Sequence, residues 1–429
     1  MKSSSNGANF HYAWVILAGV ILIRGFAGGG INMTSGLFLA PVSQDIGVGI
    51  GSLSLYLSLT SVILVLWLPF AGILINRYDI RIMAVLGAAL QTLSFAAFGF
   101  MDHVAGWYVL AIPHAMGAAI LVGLLGPVLI NRWFSKHAGL MLGIQMAFVS
   151  LFGAVLQPLT SGIIARDGWR KAYILIGGIS FLAVIFSALV LLKNRPEDIG
   201  GKPYGAGDEE TKNVSKTEKT IEIPEKTAVR SASFYLLLFF MIALTGVGVF
   251  TQHIPTYGKI LGYSLSAAGT ALSFASVGSA IGSIAIGMIS DRIGSLKTCY
   301  LVIGIGLIAA AGFLAGQKSY LVFTGASFLH GLVGSGIMVL APILTMTFYG
   351  RADYEKIYSK VSMGAPLASI ILIPVYGYVY DFTNSYFWVL IGMIGLLCLA
   401  AFCITLGWRR RCTMEGCPGW RKRKQESLR

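Results

Sequence analysis

One arginine in this chain, Arg24, lies about ten residues into the first of its long apolar runs. At about 1.5 Å per residue, that depth is near the middle of a membrane-spanning helix. An arginine there costs a few kcal/mol or more unless it faces a cavity or a partner. None of the 18 acidic residues falls in the middle of a run; the nearest are Asp353 and Glu355 before the eleventh and Asp381 after it. A bound anion is therefore the economical partner, with backbone carbonyls and amide side chains as the alternative. His330 sits near the middle of the tenth run and His114 at the related place in the fourth. A neutral imidazole donates to a carboxylate and a protonated one carries a proton, although each also suits a bond to a neighbouring helix. Asn32, Gln145 and Gln157, on runs one and five, serve as substrate donors or as interhelical glue. Lys360, with Tyr358 nearby, lies one turn into the eleventh run. It either snorkels to the cytoplasm or supplies a second positive charge to an inward-facing cavity. Gly25, Gly28, Gly29 and Gly30 make a flexible or closely packed helix, which suits a gate and equally suits plain packing. Tyr376, Tyr378 and Tyr380 read as an outer interfacial belt.

The elements that must position these groups follow from composition. The chain has 429 residues, 56% hydrophobic and 12% charged, with a mean hydropathy of +0.76. Soluble chains carry about 25% charged residues. At about 20 residues per span, the apolar content amounts to about twelve spans. Runs are marked off at 13–38, 53–75, 82–101, 106–130, 138–164 and 172–192, then at 233–257, 266–289, 298–316, 320–348, 357–380 and 386–407. A polar stretch between the two sets reads as a flexible linker. The organisation expected is a six-helix half over 1–192, a linker over 193–232, a second half over 233–407 and a basic tail over 408–429. The first run is too long for a signal peptide. The 53 glycines suit close packing of membrane helices. Five cysteines make no disulfide scaffold, and Cys412 and Cys417 alone cannot close a zinc site.

Charge sets the orientation. With the N-terminus cytoplasmic, 26 of the 32 Lys and Arg fall inside and five outside, leaving Arg24 in no loop. The positive-inside rule places both termini and the linker in the cytoplasm, and most of the +14 net charge records topology. Arg409–Arg411 and Arg421–Lys424 are placed to touch anionic lipid, not nucleic acid. The halves also repeat at an offset of 215 residues: Gly72 to Arg77 pairs with Gly287 to Arg292, Pro127 with Pro342, and Phe134 with Tyr349. Two like-oriented halves form a parallel repeat about an axis along the membrane normal, with a substrate site near the midplane between them.

Gly287-Met-Ile-Ser-Asp-Arg-Ile-Gly-Ser-Leu-Lys297 resembles the cytoplasmic loop signature of the major facilitator superfamily. The resemblance implies gating roles for Gly287, Asp291, Arg292, Gly294 and Lys297, the acid sitting at a neighbouring helix N-terminus and the arginine tying the loop across. The first copy places Gly72, Asn76, Arg77, Asp79 and Arg81 in the same role, with Asn76 where the acid belongs. Asn131-Arg-Trp-Phe-Ser-Lys-His-Ala-Gly-Leu-Met-Leu-Gly143, which contains Arg132 and Lys136, is similar to the fifth-helix signature of monocarboxylate porters. Gly168 to Tyr173 and Arg195 to Gly200 resemble segments of that family and of the oxalate/formate antiporters. Porters of the monocarboxylate type carry an arginine in the eighth helix, whereas this chain has no Lys or Arg between Lys259 and Arg292. Either Arg24 replaces it from the other half, or the substrate is not a small monocarboxylate.

The fold expected is all-α and membrane-integral: twelve transmembrane helices in two parallel six-helix repeats, the major facilitator fold. The function expected is secondary transport of a small organic anion, a carboxylate, across the cytoplasmic membrane by alternating access, as proton symport or anion exchange. Transport of neutral or cationic solutes, including drug efflux, is the alternative. No P-loop, metal-ligand cluster or Ser/His/Asp set appears, so neither an enzyme nor a cofactor is expected. The partners expected are the anion, protons and membrane lipids, with a monomer as the working unit.

Overall fold

A computed structural model describes residues 11–134, 138–205, 223–317, 319–350 and 353–411. Lys136, Cys412, Cys417 and Arg421–Lys424 lie outside the described residues, as do the side chains of Asn76 and Glu355. Inside a bilayer every backbone N–H and C=O must be satisfied within the protein, which long apolar helices do on their own. Among the described residues, twelve helices are long and apolar enough to cross a membrane: α1 (Ala13–Ile46), α2 (Ile50–Ile75), α3 (Ile80–Phe100), α4 (Val104–Trp133), α5 (Leu140–Asp167), α6 (Trp169–Leu191), α7 (Ala232–Gln252), α8 (Leu265–Ile293), α9 (Ser295–Ala315), α10 (Tyr320–Tyr349), α11 (Lys360–Thr383) and α12 (Phe387–Arg410). Among the described residues there is no strand, only a bridge pairing Phe134 with Tyr204.

Several boundaries differ from the hydropathy reading. The first span runs on to Ile46 and is not one regular helix. It is α-helical from Ala13 to Arg24, widens into π-helical turns over Gly25–Asn32, and resumes at Gly36–Ile46. The glycines permit this because α5 crosses them at backbone distance. A Cβ on Gly29 would lie 2.5 Å from the Val149 carbonyl oxygen, and one on Gly25 would lie 2.6 Å from the Phe152 ring. The seventh run ends early, and its last residues form a separate helix, Ile254–Ile260. The eleventh breaks at Met363 into Tyr354–Ser362 and Gly364–Thr383. The linker carries local order at its ends, a turn at Pro196–Ile199 and a helix at Glu225–Val229. Tyr376 is not part of an interfacial belt; it is buried and donates to the Gly246 carbonyl at 2.8 Å.

The first six and last six spans meet along α2 with α11 and α5 with α8. Their hydrogen bonds lie in the part of the bundle remote from the linker. Asp381, at the far end of α11, accepts from the Ile50 and Gly51 amides at the start of α2, at 3.0 and 2.7 Å. Lys259 donates to Gln44 at 2.6 Å, Ser276 to Gln157 at 3.0 Å, and Ser273 to the Ala154 carbonyl. Small residues bring the backbones together there: a Cβ on Gly377 would fall 2.7 Å from the Gly51 Cα. The buried side chains divide in the same way. One apolar cluster joins both sets, from Ile31, Leu37 and Leu53 to Tyr257 and Tyr376. A second, built on Ala13, Leu17, Ile75, Leu129 and Trp133 at the linker end, draws on the first six spans and on Tyr12, Phe134, Leu192 and Tyr204 beside them. The halves are bound at the remote end and held separately near the linker.

Two outcomes follow from this packing. Gly29→Ala should lower the melting temperature in detergent by several degrees, whereas Gly143→Ala, where a Cβ would meet nothing within 4 Å, should not; equal behaviour of the two would remove the backbone crossing as the reason for the glycines. Asp381→Ala removes two charge-assisted bonds of about 1.5–3 kcal/mol each. Spin labels on the exposed His103 and Phe382 should then show a larger population at long distance than in the wild type.

Candidate functional site

Arg24 is the last residue of the α-helical part of α1, and only 3% of it is exposed. Its neighbours come from α4 and α5. Nη2 lies 3.5 Å from the Met146 sulfur, a weak acceptor, while Nε and Nη1 have no partner. Among the described residues no carboxylate pairs with it. Beside it lies Gln145, wholly buried, with neither amide atom hydrogen-bonded. Both side chains converge on Gly126 of α4: a Cβ there would collide with Gln145 Oε1 and lie 2.9 Å from Arg24 Cδ and 3.1 Å from Nη1. A guanidinium and an amide, both short of partners, thus share the space that a missing Cβ leaves open. From the linker end of its own helix Arg24 is about three turns away, Gly126 about two and Gln145 about one and a half.

The other amides are engaged. Asn32 Oδ1 accepts from Gln91 Nε2 at 3.1 Å, and the same Nε2 donates to the Ala27 carbonyl at 3.1 Å. Gln157 Nε2 donates to the Met33 carbonyl at 3.1 Å, its oxygen accepting from Ser276. These two are interhelical glue. Gln145 alone of the three candidate amides is unengaged.

The histidines sit apart from Arg24, each in its own set of spans. His114 Nδ1 is 3.2 Å from the Gln91 carbonyl, and the ring packs against Phe95 and Phe98. His330 Nε2 is 3.1 Å from Thr251 Oγ1, with the ring against Phe250 and Phe313. The Thr251 hydroxyl donates its only proton to the Gly248 carbonyl at 2.8 Å, so His330 Nε2 must be the donor. Nδ1 is left as a buried acceptor with no partner. His253, passed over in the sequence, bonds Tyr386 and the Ile373 carbonyl, both at 2.9 Å, and is fully satisfied. Lys360 does not join Arg24; its ammonium pairs with Glu225 of the linker helix at 2.5 Å. Tyr358, in the short helix before α11, is half-buried, and burial raises its phenol above the ordinary value.

The two loop copies behave differently. In the first, Asp79 accepts from the Arg81 amide at 2.8 Å to cap α3, and Arg81 Nε donates to the Leu192 carbonyl at 2.9 Å. Arg77 lies 5.9 Å from the Tyr78 ring centroid. In the second, Gly294 takes φ +88, open to glycine but strained for other residues. Asp291, Arg292 and Lys297 are exposed with no hydrogen bond or ion pair among the described residues. The acid-on-helix contact expected of Asp291 is made instead by Asp381, at the opposite end. A Cβ on Gly72 would meet nothing within 4 Å, and one on Gly287 would meet Val339 at 4.0 Å.

The other motif segments tie the first six spans together. Arg132 donates to Asn194 at 2.6 Å, and Trp133 to the Lys193 carbonyl at 3.3 Å. Arg170 pairs with Asp102 at 2.7 Å, and Trp169 donates to Asp45 at 3.1 Å. Asp198 accepts from the Arg195 amide at 2.9 Å, closing its own turn. Sequence reading missed Gly126, Met146 and Gln91; nothing in their residue types marks them, because their importance is a matter of what packs beside them.

The family model described as Major Facilitator Superfamily matches residues 20–317 and 266–426. Among curated proteins, the chain is 24% identical over 347 residues to the oxalate:formate antiporter of Oxalobacter formigenes, covering 80% of this chain and 79% of that protein. It is 22% identical to monocarboxylate transporter 4 of Gallus gallus, over 89% of this chain and 79% of that one. Among solved structures, a bacterial homologue of the human lysosomal transporter Spinster, inward-facing and occupied, superposes with a TM-score of 0.71 at 12% identity, over 93% of this chain and 97% of that one. The nucleoside transporter NupG gives 0.69 at 10% identity, over 93% of this chain and 99% of that one. With twelve spans of the matching fold and a family model covering most of its length, the chain belongs to the Major Facilitator Superfamily, as a multi-pass membrane transporter and not an enzyme.

Proposed function

We propose that the chain is a secondary transporter of small organic anions, specifically carboxylates, which it binds at Arg24. The observation that carries this reading is a guanidinium almost wholly buried, with Nε and Nη1 unpartnered and no carboxylate beside it among the described residues. A buried polar group without a partner is costly, and a charged one more so. An anion supplies the missing acceptors with the geometry a guanidinium favours. The oxalate:formate antiporter and the monocarboxylate transporter among the relatives support the same substrate class.

The two sets of six spans act as the rocking units, and the linker end faces the cytoplasm of a cytoplasmic membrane. Binding then occurs from the cytoplasmic side while Asp381, Lys259 and the α5–α8 contacts keep the other end shut. The site lies on the linker side of those contacts, so the substrate reaches Arg24 without crossing them. Coupling is anion exchange or proton symport; in the second case His330 Nδ1, a bare acceptor, is the atom that takes the proton. Asp291 and Arg292 re-engage when the cytoplasmic end closes. The working unit is one chain.

Arg24→Ala in proteoliposomes should abolish uptake of radiolabelled formate, acetate and oxalate while the purified protein stays monodisperse. A thermal-shift screen of short mono- and dicarboxylates against neutral analogues should show stabilisation only by acids, lost in the variant. Full uptake by Arg24→Ala, or stabilisation by neutral solutes that ignores the substitution, would sink the anion reading.

A further inference from the structure

We infer that Gln145 selects, within the anion site, carboxylates that carry a hydroxyl on the carbon next to the carboxylate. The inference rests on the reading of Arg24 as the anion-binding group and adds what the second unpartnered side chain reads.

A carboxamide has one oxygen that accepts and one nitrogen that donates, whichever way round it is placed. Gln145 is wholly buried and neither atom is bonded, whereas Gln157 farther along α5 and Asn32 on α1 are engaged. The Gln145 oxygen, an acceptor, stands beside Arg24 at Gly126, where Arg24 would pair with a carboxylate. The carboxylate offers no donor, so a simple acid leaves the amide oxygen unbonded in a dry site. That is the costly half of an incomplete hydrogen bond. A hydroxyl on the adjacent carbon supplies the donor from a position next to the carboxylate. An ammonium there would also donate, but it would face the Arg24 charge. An oxo group brings a second acceptor and leaves the amide oxygen as it was. Sites with a polar group waiting for a substrate hydroxyl discriminate far more strongly than apolar pockets do.

Gly126 sets the size of this arrangement. Its Cβ would enter the shared space from α4 and collide with the Gln145 and Arg24 side chains.

The test compares acetate with glycolate, which differ by the hydroxyl alone, by direct binding to the full-length purified protein and by competition for uptake in proteoliposomes. The wild type should bind glycolate about tenfold more tightly than acetate. Gln145→Leu should bring the ratio close to one, and Gly126→Ala should weaken both acids. Equal wild-type affinities overturn the inference and leave the anion reading standing; that ratio decides the matter even should Gln145→Leu fail to fold. A ratio that survives in a folded Gln145→Leu also overturns it. Failure of both acids to bind the wild type overturns the anion reading itself.

Discussion

A guanidinium buried in the bundle, with no carboxylate beside it among the described residues, is the constraint around which the first six spans are arranged. Arg24 stands where α1 leaves α-helical geometry for π-helical turns, and the glycines that follow let α5 pass at backbone distance. That crossing brings Met146 and Gln145 to the guanidinium, and Gly126 on α4, having no Cβ, admits the Arg24 and Gln145 side chains beside it. In an apolar surround such a charge is tolerated when it lines a cavity or meets a ligand. π-helical turns within spans concentrate at functional positions. The chemistry of the site and the irregularity of α1 are thus one arrangement, since a regular Ala- or Leu-rich helix in place of Gly25–Asn32 would hold α5 away.

The second organising feature is the uneven closure of the bundle. Polar contacts between the two sets of spans gather at the end remote from the linker, and they rest on backbone amides and carbonyls as much as on side chains. Asp381 uses the free N–H groups at the start of α2, the one part of a helix whose donors have no internal acceptor. A carboxylate there also meets the positive end of the helix dipole. At the linker end the loop charges of the second signature copy stand unpaired among the described residues, while Asp79 and Arg81 of the first are bonded within their own set of spans. One end is latched by an acid on a helix N-terminus; the other carries an acid of the same kind without a helix to meet. Alternation between two such states needs only that the two contacts exclude each other.

Much of this was legible in the sequence because it depends on hydropathy and charge counts. The twelve spans and the isolation of Arg24 come from residue type alone. The breaks at Gly25, Gln252 and Met363 do not, because backbone geometry inside an apolar run depends on what crosses it. Likewise the three amides are indistinguishable as residue types. Asn32 and Gln157 find partners on α3 and α8, Gln145 finds none, and only the packing separates them. Lys360 is ambiguous in the sequence for a related reason: its partner Glu225 lies in the linker, far off along the chain and outside any apolar pattern. Tyr376 looks interfacial by its spacing with Tyr378 and Tyr380, yet its hydroxyl reaches the Gly246 carbonyl inside the bundle.

The missing arginine of the eighth helix is explained by what α8 does instead. Its Ser273 and Ser276 bond the Ala154 carbonyl and Gln157 of α5, and its Gly269 lets Ser161 pack against its backbone. This face of α8 is committed to close contact with the other set of spans, and a long cation on it would force them apart. A charge placed on α1 avoids that conflict, because Arg24 takes its neighbours from α4 and α5 and leaves the α5–α8 contact intact. On the anion reading, the substrate's charge is then held by one set of spans alone. The energy that changes as the other set moves must come from the contacts that break and form between the two sets, not from the charge pair itself. On the same reading the anion stays bound to Arg24 throughout, and the α2–α11 and α5–α8 contacts decide which side it sees.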